Sequence, residues 1–447
     1  MHNIYKYSFI LELVLLFTSI LFFCFKLEDK PSTSKTPDEY IASYIEDEYH
    51  TAIPGKNDGY VVDKIVCDNG ATGAWDNEEW GIDIRNASKK VKCSIYFVKA
   101  TIVNQIAALA AKDTTNFATD DSDNNIRYIG ADPSNYVYFN CSDYSNQTAD
   151  TCEKWRIIGV FKNVTKADGT KEDLVKIIKD DRLNNTLMNW DYKQTGVGTS
   201  TTTYGSNDWT DSQLMMMLNP TDYLKSGYTI ENGIVKDSNG QEIYQNMGSY
   251  YNRTTGCQPA SITSGSSFSC TSIDFTSTGL KNDTTRNAIE SVVWNLGGTA
   301  TYNSASNGLA SHWYGYERGT TVYSGHATTW TGKVGLMYPS DYGYATSGNS
   351  TTDRATCLAK EIYNWGSASD CYSNDYLYES SYKQWTLTPF ASNGHSIFYV
   401  STGEIVGSIA YLRASRYYVR PVVYLKSSVS ISGSDGTSSN PYQLKLQ

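Results

Sequence analysis

The sequence predicts an α+β protein: an N-terminal transmembrane helix, a small disulfide-stapled β-domain, and a large mixed domain of mostly antiparallel strands. Three observations lead there. First, tyrosine occurs 36 times and glycine 34 times in 447 residues. The tyrosines sit in short alternating runs split by turn residues, the pattern of short strands and many turns. Second, the chain has nine cysteines. Cys24 lies in an apolar run, and the other eight form four close pairs: Cys67 and Cys93, Cys141 and Cys152, Cys257 and Cys270, Cys357 and Cys371. An even set behind an export signal reads as disulfides between nearest neighbours, because short loops close most easily. Third, the run 9–25, FILELVLLFTSILFFCF, is about the minimum length for a membrane span.

Residues 1–26 are therefore expected to form a signal anchor, with a cleaved signal peptide as the main rival. Glu12 inside the run is similar to the type IV prepilin pattern, but the glycine and spacing of that pattern are missing. Near a helix end, Glu12 can reach the interface. Residues 27–55 read as a stalk and a helix, starting at Thr36-Pro37-Asp38-Glu39 and running through EYIASYIEDEY. Residues 56–99 read as the small β-domain, stapled by Cys67 and Cys93 around Trp75 or Trp80. Residues 100–120 read as a linker helix with Ile102, Ile106 and Leu109 on one face.

The main domain is expected over 121–447. Asp121, Asp123 and Asn125 stand at calcium-loop spacing. Ile126 replaces the loop's glycine and Asp132 its final glutamate, so a polar turn before the strand IRYIG is expected instead. YVYFN and WRIIGVF read as paired strands around an insertion clasped by Cys141 and Cys152, and LVKIIKD as a further strand. Thr210-Asp211-Ser212-Gln213 is a capping box ahead of LMMML, which Pro220 stops. Met215 to Met217 read as core filler. A helix is expected over 283–296 with Ile289, Val292 and Val293 inward, and a helical turn near 353–365. In the last third, SIFYVSTGEIV reads as a hairpin turning at Thr402-Gly403, and VRPVVYL as a buried strand.

Chemistry-bearing patterns are sparse. The five histidines, His2, His50, His312, His326 and His395, are far apart, with neither HxxH nor HExxH spacing. No GxSxG elbow is present, and nothing singles out two carboxylates as a glycosidase pair. No cysteine pair has CxxC spacing or a histidine at ligand distance in sequence, so no metal or cofactor is expected. Net charge is −10 without a basic cluster, which argues against nucleic acid. The balance favours a binder over a catalyst. Trp155, Trp294, Trp330, Trp365 and Trp385 read as core; Tyr399, Tyr411, Tyr417 and Tyr418 sit on or beside turns. Loop tyrosines on a rigid scaffold suit recognition.

NNIRYIGADPSNYVYFN, WRIIGVF, DFTSTGLK, YERGTTVYSG, WTGKVGLMYPSDYGYATSG, QWTLTPF and VRPVVYLKSSVSISG carry a resemblance over about two thirds of the chain. They resemble an exported surface-protein family of low-GC gut bacteria. Their order is similar to the C-type-lectin-like group that includes formylglycine-generating-enzyme-like domains. The resemblance implies a scaffold in which the first and last strands close together. It does not carry the group's chemistry: the copper-binding cysteine pair, the iron-binding histidines and the calcium phrases have no match, and Gln258-Pro259 is followed by Ala260.

Within that group, targets of diversity-generating retroelements vary near the C-terminus. The turn positions between Ser392 and Tyr418 hold residues reachable by adenine mutagenesis of AAY codons, whereas Glu404 is not reachable. The expected ligand-binding residues are Asn393, His395, Tyr399, Ser401, Tyr411, Arg413, Ser415, Tyr417 and Tyr418, with Tyr342 to Tyr344 as a second candidate. The expected function is non-catalytic adhesion or ligand recognition at the cell membrane. It would use extracellular domains and a protein or glycan partner. A hydrolase or oxidase on the same scaffold and a pilin-like subunit are the alternatives.

Overall fold

A computed structural model describes residues 40–446, apart from 57, 88–89, 192–204, 245, 262–268, 402 and 410–416. The expected membrane helix lies outside these residues. Among the described residues no helix is long and apolar enough to cross a membrane. The chain divides into two units, one up to Lys99 and one from Ala100.

The expected helix from Thr36 is corrected. Tyr40–Ile45 is a strand that turns at Glu46 and Asp47, both with positive φ, into the strand Glu48–His50. The capping signal was local. Tyr40, Ile41, Tyr44 and Ile45 are strand formers, and they gain a parallel ladder with Lys92–Lys99. The Tyr60–Cys67 strand pairs antiparallel on the other side of Lys92–Lys99. Cys67 lies opposite Cys93 in that register and is bonded to it. Cys93, Ile95 and Phe97 face inward, and Trp75 packs edge-on against Phe97 at 5.4 Å and Trp80 at 5.2 Å.

In the larger unit one antiparallel sheet organises the core. Its strand order is Val334–Gly335, Val422–Leu425, Lys171–Lys179, Glu153–Thr165, Ile126–Tyr128 and Phe117–Ala118, with Tyr136–Phe139 also paired to Glu153–Thr165. Trp155 to Phe161 are buried without a break, because both faces of this strand are covered. Each fully buried large apolar side chain there contributes roughly 1.5–3 kcal/mol relative to exposure. The late strand Val422–Leu425 joins the sheet through Lys171–Lys179.

Gly159 matters to this sheet. A Cβ there would meet the Ile126 carbonyl oxygen at 2.1 Å. Gly159 lies between Arg127 on one neighbouring strand and Lys176 on the other. The row therefore carries two cations with no side chain between them.

The helix Ile102–Ala110 buries Ile102 and Ile106, while Leu109 stays exposed. The Ile102 N–H donates to the Val429 carbonyl, and the Gln105 side chain pairs with both main-chain groups of Ile431. The helix is thus tied to the larger unit. The expected helix over 283–296 is corrected: it stops at Ala288, and Val292–Asn295 is a strand paired with Thr329–Gly332. The β-branched pair and Trp294 prefer that ladder. The helix Gln213–Leu218 begins two residues later than the capping box implies, with Ser212 as its cap, and Met215 to Met217 are buried core as expected.

Cys141–Cys152 and Cys357–Cys371 are bonded as nearest neighbours. The Cys270 side chain lies outside the described residues.

Candidate functional site

Ser396–Ser401 and Glu404–Ile409 form the expected hairpin, with Gly403 at φ 88° in the turn. The Asn207 side chain holds the loop before it, donating to the carbonyls of Phe390, Asn393 and Ser396. Asn393 accepts from the His395 N–H at 3.1 Å, and both side chains are half-buried. Burial holds the His395 imidazole below its usual range.

Tyr399 and Ser401 are buried, at 7% and 6% exposure, because the Ser396–Ser401 strand lies in the middle of its three-stranded sheet. They form a wall more than a loop surface. Tyr342 and Tyr344 are also buried, since the whole helix Pro339–Ala345 is enclosed. Tyr411, Arg413 and Ser415 lie outside the described residues.

Tyr417 and Tyr418 are half-buried, and main-chain ladders fix them. Tyr417 exchanges two main-chain hydrogen bonds with Met188. Tyr418 donates to the Lys383 carbonyl and accepts from the Trp385 N–H. The Tyr417 ring stands 4.4 Å from both Trp385 and Tyr399, and the Tyr418 ring stands 4.6 Å from Tyr382. Arg182 covers Tyr382 at 4.8 Å and Tyr418 at 4.6 Å; Lys383 covers Tyr399 at 5.3 Å and Tyr417 at 5.6 Å. The structure thus places the tyrosines in two aromatic–cation groups, Tyr418 with Tyr382 and Arg182, and Tyr417 with Tyr399, Trp385 and Lys383. Asn393 and His395 lie beyond the other end of the same hairpin strand, on a loop of their own.

Elsewhere in the larger unit is a cleft of about 190 Å³ walled by Trp294, Asn295, Tyr314, Arg318, Tyr338 and Tyr424, among others. Arg318 lies 3.3 Å over the Tyr314 ring, and the Tyr314 hydroxyl donates to Asp123 at 2.5 Å. Burial first, then this bond, pushes the Tyr314 hydroxyl above its usual range. The turn Asp121–Asn125 is the expected polar one. Asp121 accepts from the Asn125 main chain and side chain and from Arg127.

Behind the cleft lies a charge cluster that the sequence reading missed. Arg127 sits 2.6 Å from Asp121 and 3.2 Å from Asp341, and Lys176 lies 2.5 Å from Asp341. All four are enclosed. Burial lowers the Lys176 ammonium to about 8, against the pull of Asp341. Burial would raise the Asp341 carboxyl, but Lys176 and Arg127 outweigh it and hold it below the usual range. Glu317 is also fully buried, accepts from Ser340, and is pushed up to about 7 by burial. The available signal was a charge inside an apolar strand: the lysine of LVKII and the arginine of IRYI.

Among the described residues no group of three or more His, Cys, Asp and Glu is placed to hold a metal ion. Comparison with known proteins found no matching family model, no matching curated protein and no matching solved structure.

Proposed function

We propose that this chain is a non-catalytic ligand-recognition protein of the cell surface, anchored by its N-terminal apolar run and binding an extracellular glycan or protein. The observation that carries the reading is the two ring-and-cation groups at one end of the hairpin sheet, Arg182 over Tyr382 and Tyr418, and Lys383 over Tyr417 and Tyr399. Main-chain hydrogen bonds fix Tyr417 and Tyr418, so little side-chain entropy is lost on binding. Tyr417 and Tyr418 keep part of their surface open. The C-type-lectin-like resemblance belongs to the same proposal. The non-catalytic part is supported by the enclosure of Lys176 and Glu317, each at 0% exposure, which keeps both from a substrate.

The test is binding of the purified full chain to an array of glycans and to extracellular proteins. Tyr417→Ala and Tyr418→Ala are each expected to weaken retention at least about tenfold, as anchor aromatics do. Unchanged binding in the double variant refutes the reading. Its diversified form is tested by sequencing the gene across a population: substitutions clustered at adenines in codons 392–418 support it, and an even low rate removes it.

A further inference from the structure

Lys176 and Asp341 lie 165 residues apart in sequence and meet at 2.5 Å, at 0% and 1% side-chain exposure. Four rings enclose the Lys176 nitrogen: Tyr338 at 4.5 Å, Phe161 at 4.7 Å, Tyr424 at 5.6 Å and Trp294 at 6.0 Å from their centres. On the other side, Arg127 lies 3.2 Å from the second oxygen of Asp341. We propose that Lys176 and Asp341 condense into an isopeptide bond once the chain has folded.

The step balances without a co-reactant. Within the pair, a proton passes from the ammonium to the carboxylate, giving an amine and a carboxylic acid. The amine nitrogen attacks Cγ of Asp341. The Nζ–Cγ bond forms, the attacking nitrogen gives a second proton to Oδ2, which it already faces, the Cγ–Oδ2 bond breaks, and Oδ2 leaves as water with both protons. One positive and one negative charge are lost together.

Three features favour this. The fold holds nucleophile and electrophile in contact, which replaces an encounter by a unimolecular step. Arg127 is aimed at Oδ1, the oxygen on which charge builds during the addition. The reaction also replaces two enclosed ions by a neutral amide. Arg127 is not stranded by it, because Asp121 remains at 2.6 Å. Burial lowers the Lys176 ammonium and so favours the amine, while Lys176 and Arg127 favour the Asp341 anion, so the neutral pair is a minor form through which the step passes.

The bond would tie the strand Lys171–Lys179 to the helix Pro339–Ala345. The described disulfides span only 26, 11 and 14 residues. A 165-residue staple would restrict the unfolded chain over a length that they do not cover.

The test is the intact mass of the full chain, purified folded, then denatured, reduced and alkylated. The expected mass is one water below that of the alkylated sequence, and digestion should release a branched peptide joining the segments around Lys176 and Asp341. Lys176→Arg keeps the charge but cannot form this amide, and should show the full sequence mass. A wild-type chain at full sequence mass overturns the proposal. So does a water lost elsewhere, with Lys176 recovered in a linear peptide.

Discussion

Lys176 and Arg127 sit among Phe161, Tyr338 and Tyr344 with almost no exposed surface, whereas Arg182 and Lys383 lie over Tyr382, Tyr418, Tyr399 and Tyr417 at a surface of the same unit. Both clusters use cations on ring faces. They differ in access to water. In the enclosed cluster each cation must have a carboxylate, and Asp121 and Asp341 supply it. In the two surface groups solvent does much of that work, and the Tyr417 and Tyr418 rings stay partly open to a partner. The first cluster is expected to govern stability and the second binding, so substitutions in each should separate the two.

The largest expected effect is at Asp341. Asp341→Ala leaves Lys176 enclosed with neither carboxylate nor amide and takes an oxygen from Arg127, which should cost roughly 3–5 kcal/mol in denaturant unfolding. A loss under about 1 kcal/mol would mean that water reaches the pair.

Glu317 comes next and gives a pH signature. Its folded value is raised to about 7 from an ordinary 4.5. Between those values the folded chain binds more protons than the unfolded one, so stability falls as pH rises from 4.5 to 7 and levels off above. Glu317→Gln should flatten that slope, by a few kcal/mol (~1.4 per unit of pH) across the window. Parallel pH profiles for variant and wild type would contradict the assignment.

Gly159→Ala should cost about 1–3 kcal/mol by forcing the Ile126 strand outward. Hydrogen exchange should speed up first in that strand if the cause is the close approach. The smallest stability effect is expected for Tyr418→Ala, about 1 kcal/mol or less, since its ring is only half-buried. A larger loss would place Tyr418 with the core and move it away from recognition.

Local signals explain what was legible in the sequence. The hairpin at 396–409 was readable because its alternation and the Gly403 of its turn are contained in one short stretch. The three described disulfides join neighbours, as short loops favour. The strand at Tyr40 was not readable, because its parallel partner begins at Lys92 and nothing near Thr36 reports it. The helix from Asp283 was read too long, because the strand that captures Val292 comes from Thr329–Gly332. At the surface groups, Tyr417 and Tyr418 stand out by residue type, but the ring and cations beside them, Tyr382, Lys383 and Arg182, come from two other segments. The enclosed cluster was hidden for the same reason. A lysine in LVKII reads as a solvated edge until Asp341, 165 residues on, supplies its partner.

The separation of binding from stability is tested most directly by measuring both on one double variant, Tyr417→Ala with Tyr418→Ala. Retention on the glycan and protein array and thermal unfolding would be followed on the same preparation. Binding should be lost while the unfolding midpoint moves by only a few degrees. Binding that survives intact in the folded variant would contradict it.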